Sequence, residues 1–123
     1  MARVLIVDDT DIVRKALELA VRKMGHEAES TSDALCALEL ARVRPPDLAL
    51  VDYRMPGMDG VTLLGELVRS LGERCPKVLF VSASPPEEVK ARLVEGAGRP
   101  VGYVKKPFHL DDLSRVVAEA LAA

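Results

Sequence analysis

Five residues able to carry polar chemistry stand directly after short apolar runs. Asp8 and Asp9 close Val4-Leu5-Ile6-Val7, Asp52 closes Leu48-Ala49-Leu50-Val51, Ser82 closes Val78-Leu79-Phe80-Val81, and Lys106 comes just past Val101 to Val104. Three carboxylates gathered in a partly desolvated pocket repel one another, and at least one pKa rises unless a cation is present. Such a cluster asks for a metal. All-oxygen donors in this number suit a hard divalent ion that keeps some of its waters, so Mg²⁺ is the best match and Mn²⁺ an acceptable substitute. A carboxylate beside that ion and the Lys106 ammonium stays ionised and can attack a phosphorus whose oxygens the same cations neutralise. Asp52, between a buried run and the turn Tyr53-Arg54-Met55-Pro56-Gly57, is the candidate nucleophile. Ser82 can donate its hydroxyl to one oxygen of the resulting phosphoryl group, and Lys106 can pair with another. Acids after a strand also cap helices, and Asp9 or Thr10 could serve the next helix in that way. Capping, however, leaves Asp52 and Lys106 without a role. In an extended segment Lys105 points away from Lys106 and is read as surface.

Those five residues share a site only if the apolar runs are strands with a common rim. The continuous, β-branched-rich runs read as strands covered on both faces. Between them the apolar period becomes helical. Ile12/Val13, Ala16/Leu17, Ala20/Val21 and Met24 form a stripe ended by Gly25, and Ala34/Leu35, Leu38 and Ala41 form another that stops before Pro45-Pro46. Glu27 to Thr31 is a more polar strand suited to an edge. After the Pro56 to Gly60 turn, Val61, Leu64, Leu67/Val68 and Leu71 mark a third helix. Ser84-Pro85-Pro86-Glu87 reads as the start of a fourth, with Ser84 as N-cap, Pro85 at the first helical position and Glu87 completing a capping box. That helix runs through Val89 and Leu93/Val94 to the break at Gly96-Ala97-Gly98-Arg99-Pro100. A strand Val101 to Val104 and a last helix with Leu110, Leu113, Val116/Val117 and Leu121 complete five strands and five helices in alternation. Right-handed crossovers turn that alternation into a doubly wound α/β fold, a parallel sheet with helices on both faces. Ligands of such sheets bind beyond the carboxyl ends of the strands.

Composition narrows the remaining classes. With 123 residues, 49% hydrophobic, two Phe, two Tyr and no Trp, the chain suits one domain, residues 1–123, cored by Val, Leu, Ile and Ala. The 17 basic and 19 acidic residues, net charge -2, supply no general attraction to nucleic acid or to an anionic membrane. No apolar run approaches the roughly 18 residues of a membrane span, and Met1-Ala2-Arg3 leads straight into a strand, unlike a signal peptide. The chain reads as cytoplasmic. Cys36 and Cys75 lack metal-ligand spacing and are expected to be buried packing thiols.

With Asp8-Asp9, the stretch Asp52 to Gly60 containing D-x-x-M-P-G-M-D-G, Ser82-Ala83, and Tyr103-Val104-Lys105-Lys106-Pro107-Phe108 in place, the sequence resembles a response-regulator receiver domain of two-component signalling. The resemblance covers essentially the whole chain. It implies a flavodoxin-like (βα)5 three-layer sandwich with strand order 2-1-3-4-5. It makes Asp52 the phosphoacceptor, served by a phosphohistidine on a histidine kinase or histidine phosphotransfer protein. Asp9, Asp52 and the backbone carbonyl of Arg54 would hold Mg²⁺ directly and Asp8 largely through water. Ser82 and Lys106 would hold the phosphoryl oxygens, and the Lys106-Pro107 peptide would be cis. Tyr103 would turn inward as Ser82 moves toward the phosphate, changing the face made by the fourth helix, fifth strand and fifth helix. That face would meet a downstream protein, an output domain outside this chain, or a second copy. Arg54 and Ser84 occupy the positions that tune acyl-phosphate hydrolysis. Neither is an acid or an amide that positions water, so slow self-dephosphorylation is expected.

Two features depart from the family pattern. The turn before the last strand is stretched to Gly96-Ala97-Gly98-Arg99-Pro100-Val101-Gly102, which points to a fourth helix that is short or mobile, and His109 stands where a polar cap is usual, read here as incidental surface. A Mg²⁺-dependent phosphatase of the haloacid dehalogenase type would use Asp9 as nucleophile and Asp11 as general acid. The chain is short for its cap domain, and Asp52 would be idle. An unphosphorylated scaffold would have no need of all five site residues. A nucleotide module would want a Gly-rich loop after the first strand, and direct DNA binding a basic recognition helix.

Overall fold

The computed structural model describes residues 1–93 and 98–122. Strands β1 (Arg3–Val7), β2 (Glu27–Thr31), β3 (Leu48–Val51), β4 (Lys77–Ser82) and β5 (Gly102–Lys105) alternate with helices α1 (Asp11–Lys23), α2 (Ala34–Val43), α3 (Gly60–Leu71), α4 (Pro86–Arg92) and α5 (Leu110–Ala122). All strand pairs are parallel, in the order β2-β1-β3-β4-β5. The alternation of periods predicts the doubly wound parallel sheet, and the receiver-domain resemblance its flavodoxin-like (βα)5 order; both are found. No helix among the described residues is long and apolar enough to cross a membrane.

The continuous apolar strands are explained by burial on both faces. Leu5, Val7, Ala49, Val51, Val78 and Phe80 pack with α2, α3 and Val89 of α4. Their alternates Val4, Ile6, Leu48, Leu50, Leu79 and Val81 pack with Leu17 and Val21 of α1 and Leu113 and Val117 of α5. Each fully buried side chain of this kind contributes about 1.5–3 kcal/mol relative to exposure. The polar β2 forms one edge, as its composition suggests.

Several local expectations are corrected. Ser84 is not the N-cap of α4: Pro85 is, with φ -63° and ψ 144°, Pro86 opens the helix, and no side chain caps it. The cause is steric, because the ring of Pro86 keeps its predecessor out of the helical region. The Glu87 capping box therefore does not form. Thr10 occupies the N-cap of α1 without a side-chain cap bond, so neither proposed capping side chain is used there. Ile12 and Leu35, counted in the apolar stripes, are 82% and 60% exposed, because the core-facing stripe at these first turns is narrower than the apolar run. Cys36 is exposed and Cys75 only partly buried, where burial raises the thiol pKa. The last strand lies one residue later than expected, and α4 is a seven-residue helix. Val94, Gly96 and Ala97 lie outside the described residues.

One glycine has a steric necessity that bears on the site. The Gly60 N–H donates to the Tyr53 carbonyl at 2.7 Å, folding the loop after β3 back on itself. A Cβ at Gly60 would lie 2.6 Å from the Asp52 carbonyl oxygen and 2.9 Å from the Phe80 ring. Gly60→Ala should therefore destabilise the chain by about 1–3 kcal/mol, read as a lower urea midpoint; an unchanged midpoint would show that the loop absorbs the methyl freely.

Candidate active site

The sheet's register brings the chemical residues to one rim. The Asp52 N–H donates to the Val7 carbonyl at 2.9 Å, and the Lys106 N–H to the Ser82 carbonyl at 2.9 Å, so the ladders continue past the formal strand ends. Asp8, Asp52, Ser82 and Lys106 thereby meet at the ends of β1, β3, β4 and β5.

Lys106 Nζ donates to Asp8 Oδ2 at 2.5 Å and to Asp52 Oδ2 at 3.0 Å. Asp8 and Asp52 are only 1% and 7% exposed, and a buried charge needs such pairing to be tolerated. The other Asp8 oxygen accepts the Thr10 N–H at 2.9 Å, and Arg14, ion-paired with Asp11, donates to the Asp8 carbonyl at 2.9 Å. Asp9 remains exposed. One carboxylate oxygen from each of Asp8, Asp9 and Asp52 can lie within 4.8 Å of the others, the spacing of a metal-ion site. Three carboxylates against one ammonium leave a surplus of negative charge on oxygen donors, which fits a hard divalent cation.

Burial raises the Asp52 pKa above its ordinary value, reinforced by the charge of Asp8 and opposed by Lys106 and the Ser82 hydroxyl. For Lys106, burial acts downward, but hydrogen bonds to Asp8 and Asp52 prevail and its pKa is raised, so it is an ammonium at neutral pH. Ser82, 4% exposed, also accepts the Ser84 N–H at 3.2 Å. The Lys106-Pro107 peptide is cis. Lys105 is exposed. Tyr103 on β5 is half-buried and stacks on Phe80 with centroids 6.0 Å apart, while Lys90 Nζ lies 5.3 Å from its ring centre.

Arg54 does more than its sequence position suggests. Its Nε donates to Ser84 Oγ at 3.1 Å, it forms an ion pair with Glu88 of α4, and it lies against the Tyr53 ring. At the other end of α4, Arg92 pairs with Asp59 at 2.9 Å. Sequence reasoning missed Glu88, Arg92 and Arg14. The Arg54–Glu88 and Arg92–Asp59 partners lie 34 and 33 residues apart, with no local signal linking them. Arg14 sits close to Asp8, but nothing in its spacing told a loop-fixing guanidinium from an ordinary helical surface charge.

Residues 4–118 match the response regulator receiver domain family. The regulatory protein AtoC of Escherichia coli (strain K12) is 40% identical over 119 residues, 97% of this chain and 25% of its own length. A CheY-like receiver domain protein from Methanospirillum hungatei JF-1 superposes with a TM-score of 0.87 at 26% identity, over 99% of this chain and 94% of its own. The receiver domain of a sensor histidine kinase from Pseudomonas aeruginosa PAO1, solved with magnesium coordinated in its active-site cleft, shares the fold with a TM-score of 0.86 at 22% identity, over 99% of this chain and 98% of its own. The chain belongs to the response regulator receiver domain family and is a CheY-like receiver of two-component signalling. It spans a quarter to just under half the length of the curated relatives it matches. Family membership and the acidic cluster together support a phosphoacceptor signalling role with a divalent cation.

The Asp52 shift carries a stability consequence. A carboxyl group with a raised folded-state pKa favours the fold most below its unfolded value, and that contribution is lost as pH rises through the folded value. Asp52→Asn should thus be more stable to urea than the native chain in metal-free buffer at about pH 7, with the gap closing as pH falls toward the ordinary carboxyl value of 3.8. A variant no more stable at neutral pH would mean that Lys106 offsets burial in full.

Proposed function

We propose that residues 1–123 form one receiver domain in which Asp52 takes a phosphoryl group from the phosphohistidine of a histidine kinase or phosphotransfer protein. The observation that carries this reading is the Lys106 ammonium held 3.0 Å from a buried Asp52 carboxylate beside two further acids. An Asp52 oxygen forms the new P–O bond as the P–N bond breaks, and the imidazole keeps the electron pair and is protonated by solvent. Lys106 and the Ser82 hydroxyl hold the phosphoryl oxygens as charge gathers on them. Asp9, Asp52 and the Arg54 carbonyl would hold Mg²⁺, with Asp8 acting largely through water; Mn²⁺ suits the same donors. When bound, the ion supplies neutralising charge to the phosphoryl oxygens. The magnesium seen in the Pseudomonas aeruginosa relative supports that choice.

Signal output follows from Ser82 moving toward the phosphoryl group. Tyr103 then turns inward and alters the face of α4, β5 and α5 for a downstream protein, an output domain outside this chain or a second copy of it. Longer relatives are in keeping with a separate output. A net charge of -2 and an acidic rim favour no direct nucleic-acid or membrane partner, and the setting is cytoplasmic. The signal ends when water attacks phosphorus, releasing inorganic phosphate and restoring the Asp52 carboxylate, so the chain catalyses both its own phosphorylation and its dephosphorylation.

Incubation with acetyl phosphate and Mg²⁺ should give one hydroxylamine-labile phosphate per chain, absent from Asp52→Asn. Labelling that depends on Asp9 as acceptor, or sustained turnover of unrelated phosphomonoesters, would sink the proposal in favour of a phosphatase. Loss of label from the native chain should be slow, because Arg54 and Ser84 position no water. Arg54→Asn, which supplies an amide at that place, should quicken the decay several-fold, and an unchanged decay rate would argue against tuning by Arg54.

A further inference from the structure

Helix α4 is held beside the loop after β3 by little packing and by two exposed ion pairs. α4 has seven residues and one buried side chain, Val89. A helix that short does not sustain itself in isolation. Two guanidinium groups tie its opposite ends to the segment following the acceptor strand. Arg92, in the last turn, pairs with Asp59, whose other oxygen accepts the Thr62 N–H at 2.8 Å and so caps α3. Arg54, two residues beyond Asp52, pairs with Glu88 in the first turn.

The two clasps differ in what lies behind them. Asp59 is fixed by the end of α3. Arg54 is bonded to Ser84, the Ser84 N–H donates to Ser82 Oγ, and the Ser82 hydroxyl bears on Asp52. A continuous polar chain therefore runs from the acceptor carboxylate to the first turn of α4. The Arg54 and Glu88 side chains are 70% and 38% exposed, so water and salt screen their attraction, and such pairs contribute about 0–1 kcal/mol. A stronger anion close by would displace Glu88.

We propose that Arg54 is a shared cation: Glu88 holds it while Asp52 is a free carboxylate, and the phosphoryl oxygens take it once Asp52 is modified, which releases the first turn of α4. This rests on the phosphoacceptor reading above and names how the rim is coupled to the helix. A phosphoryl group offers close to two negative charges and a geometry that the guanidinium fork matches, whereas Glu88 offers one charge. After the handover Glu88 faces an added anion with no cation between them. Arg92 and Asp59 still hold the far end, so α4 loosens at its N-terminal turn and pivots about its C-terminal one. By linkage, whatever phosphorylation does to the Arg54–Glu88 pair the pair does to phosphorylation, so Glu88 acts as a brake on acceptor loading.

The test compares amide hydrogen exchange at residues 87–89 in the native chain and in Glu88→Gln, each with Mg²⁺ and with or without beryllofluoride as a stable stand-in for the phosphoryl group. In the native chain, exchange at these amides should rise roughly two- to fivefold on loading, the range corresponding to one surface ion pair. In Glu88→Gln it should already be raised before loading and rise little further, and the midpoint for beryllofluoride should fall by a similar factor. Arg54→Lys, which keeps the charge but loses the fork, should also raise exchange before loading, and it serves should Glu88→Gln fold poorly. Unloaded exchange in Glu88→Gln equal to the native value, or a loading response that survives the substitution, overturns the handover. Acetyl phosphate labelling of the same samples separates the two readings: a native chain that takes no label on Asp52 refutes the acceptor role and the handover with it, whereas normal labelling with an unresponsive α4 refutes the handover alone.

Discussion

A single ammonium, Lys106 Nζ, bridges two buried carboxylates that arrive from different strands, and the arrangement of the rim depends on it. Without that cation Asp8 and Asp52 would be two like charges in a largely water-free site, at a cost of several kcal/mol each. With it they are paired and close together, and Asp9 adds an oxygen from the exposed side to complete a set of donors. The bridge also joins β1, β3 and β5 across the rim, so the chemistry and the edge of the sheet share one contact. Among the described residues no buried side-chain nitrogen or oxygen lacks a hydrogen-bond partner.

The remainder of the fold makes that concentration of charge affordable. Two apolar layers, one on each face of the sheet, bury nearly every residue of β1, β3 and β4. The rim, by contrast, is strained electrostatically: burial raises the Asp52 pKa, and the carboxylates outnumber the ammonium. Local conflict placed where ligands bind and offset by a well-packed core is the usual signature of a working site. A divalent cation held among these oxygens would relieve it.

The response to such a change has an obvious place to appear. α4 carries one buried residue and is tied at both ends by exposed ion pairs, so it belongs to the low-stability part of the molecule. Tyr103 lies beside it, stacked on the buried Phe80 and faced by Lys90 of α4. Phe80 and Tyr103 are register partners on β4 and β5, and Phe80 also bounds the space that Gly60 leaves open beside the Asp52 carbonyl. The rim, β4 and α4 are therefore in physical contact, with the weakest packing at the helix.

What the sequence determined by itself was the set of strands, their approximate ends and the type of residue following each one. Continuous β-branched runs can satisfy their apolar faces only between two layers, and the change from that pattern to a helical period is local information. Because parallel strands finish on one rim, Asp8, Asp9, Asp52, Ser82 and Lys106 followed from the same reasoning. Only the tertiary structure decided which side chains were held by partners far along the chain. Ser84 read as a cap because the Ser-Pro-Pro-Glu pattern permits one, yet the second proline shifted the helix start and left the hydroxyl to Arg54. Ile12 and Cys36 read as core because of their type, but which side of an apolar stripe faces the sheet depends on how the helix is rolled against it. Glu88 drew no reading at all, since nothing within a helical turn of it marks a guanidinium 34 residues away. Periodicity is set by neighbours in sequence, and pairing between charges is set by neighbours in space.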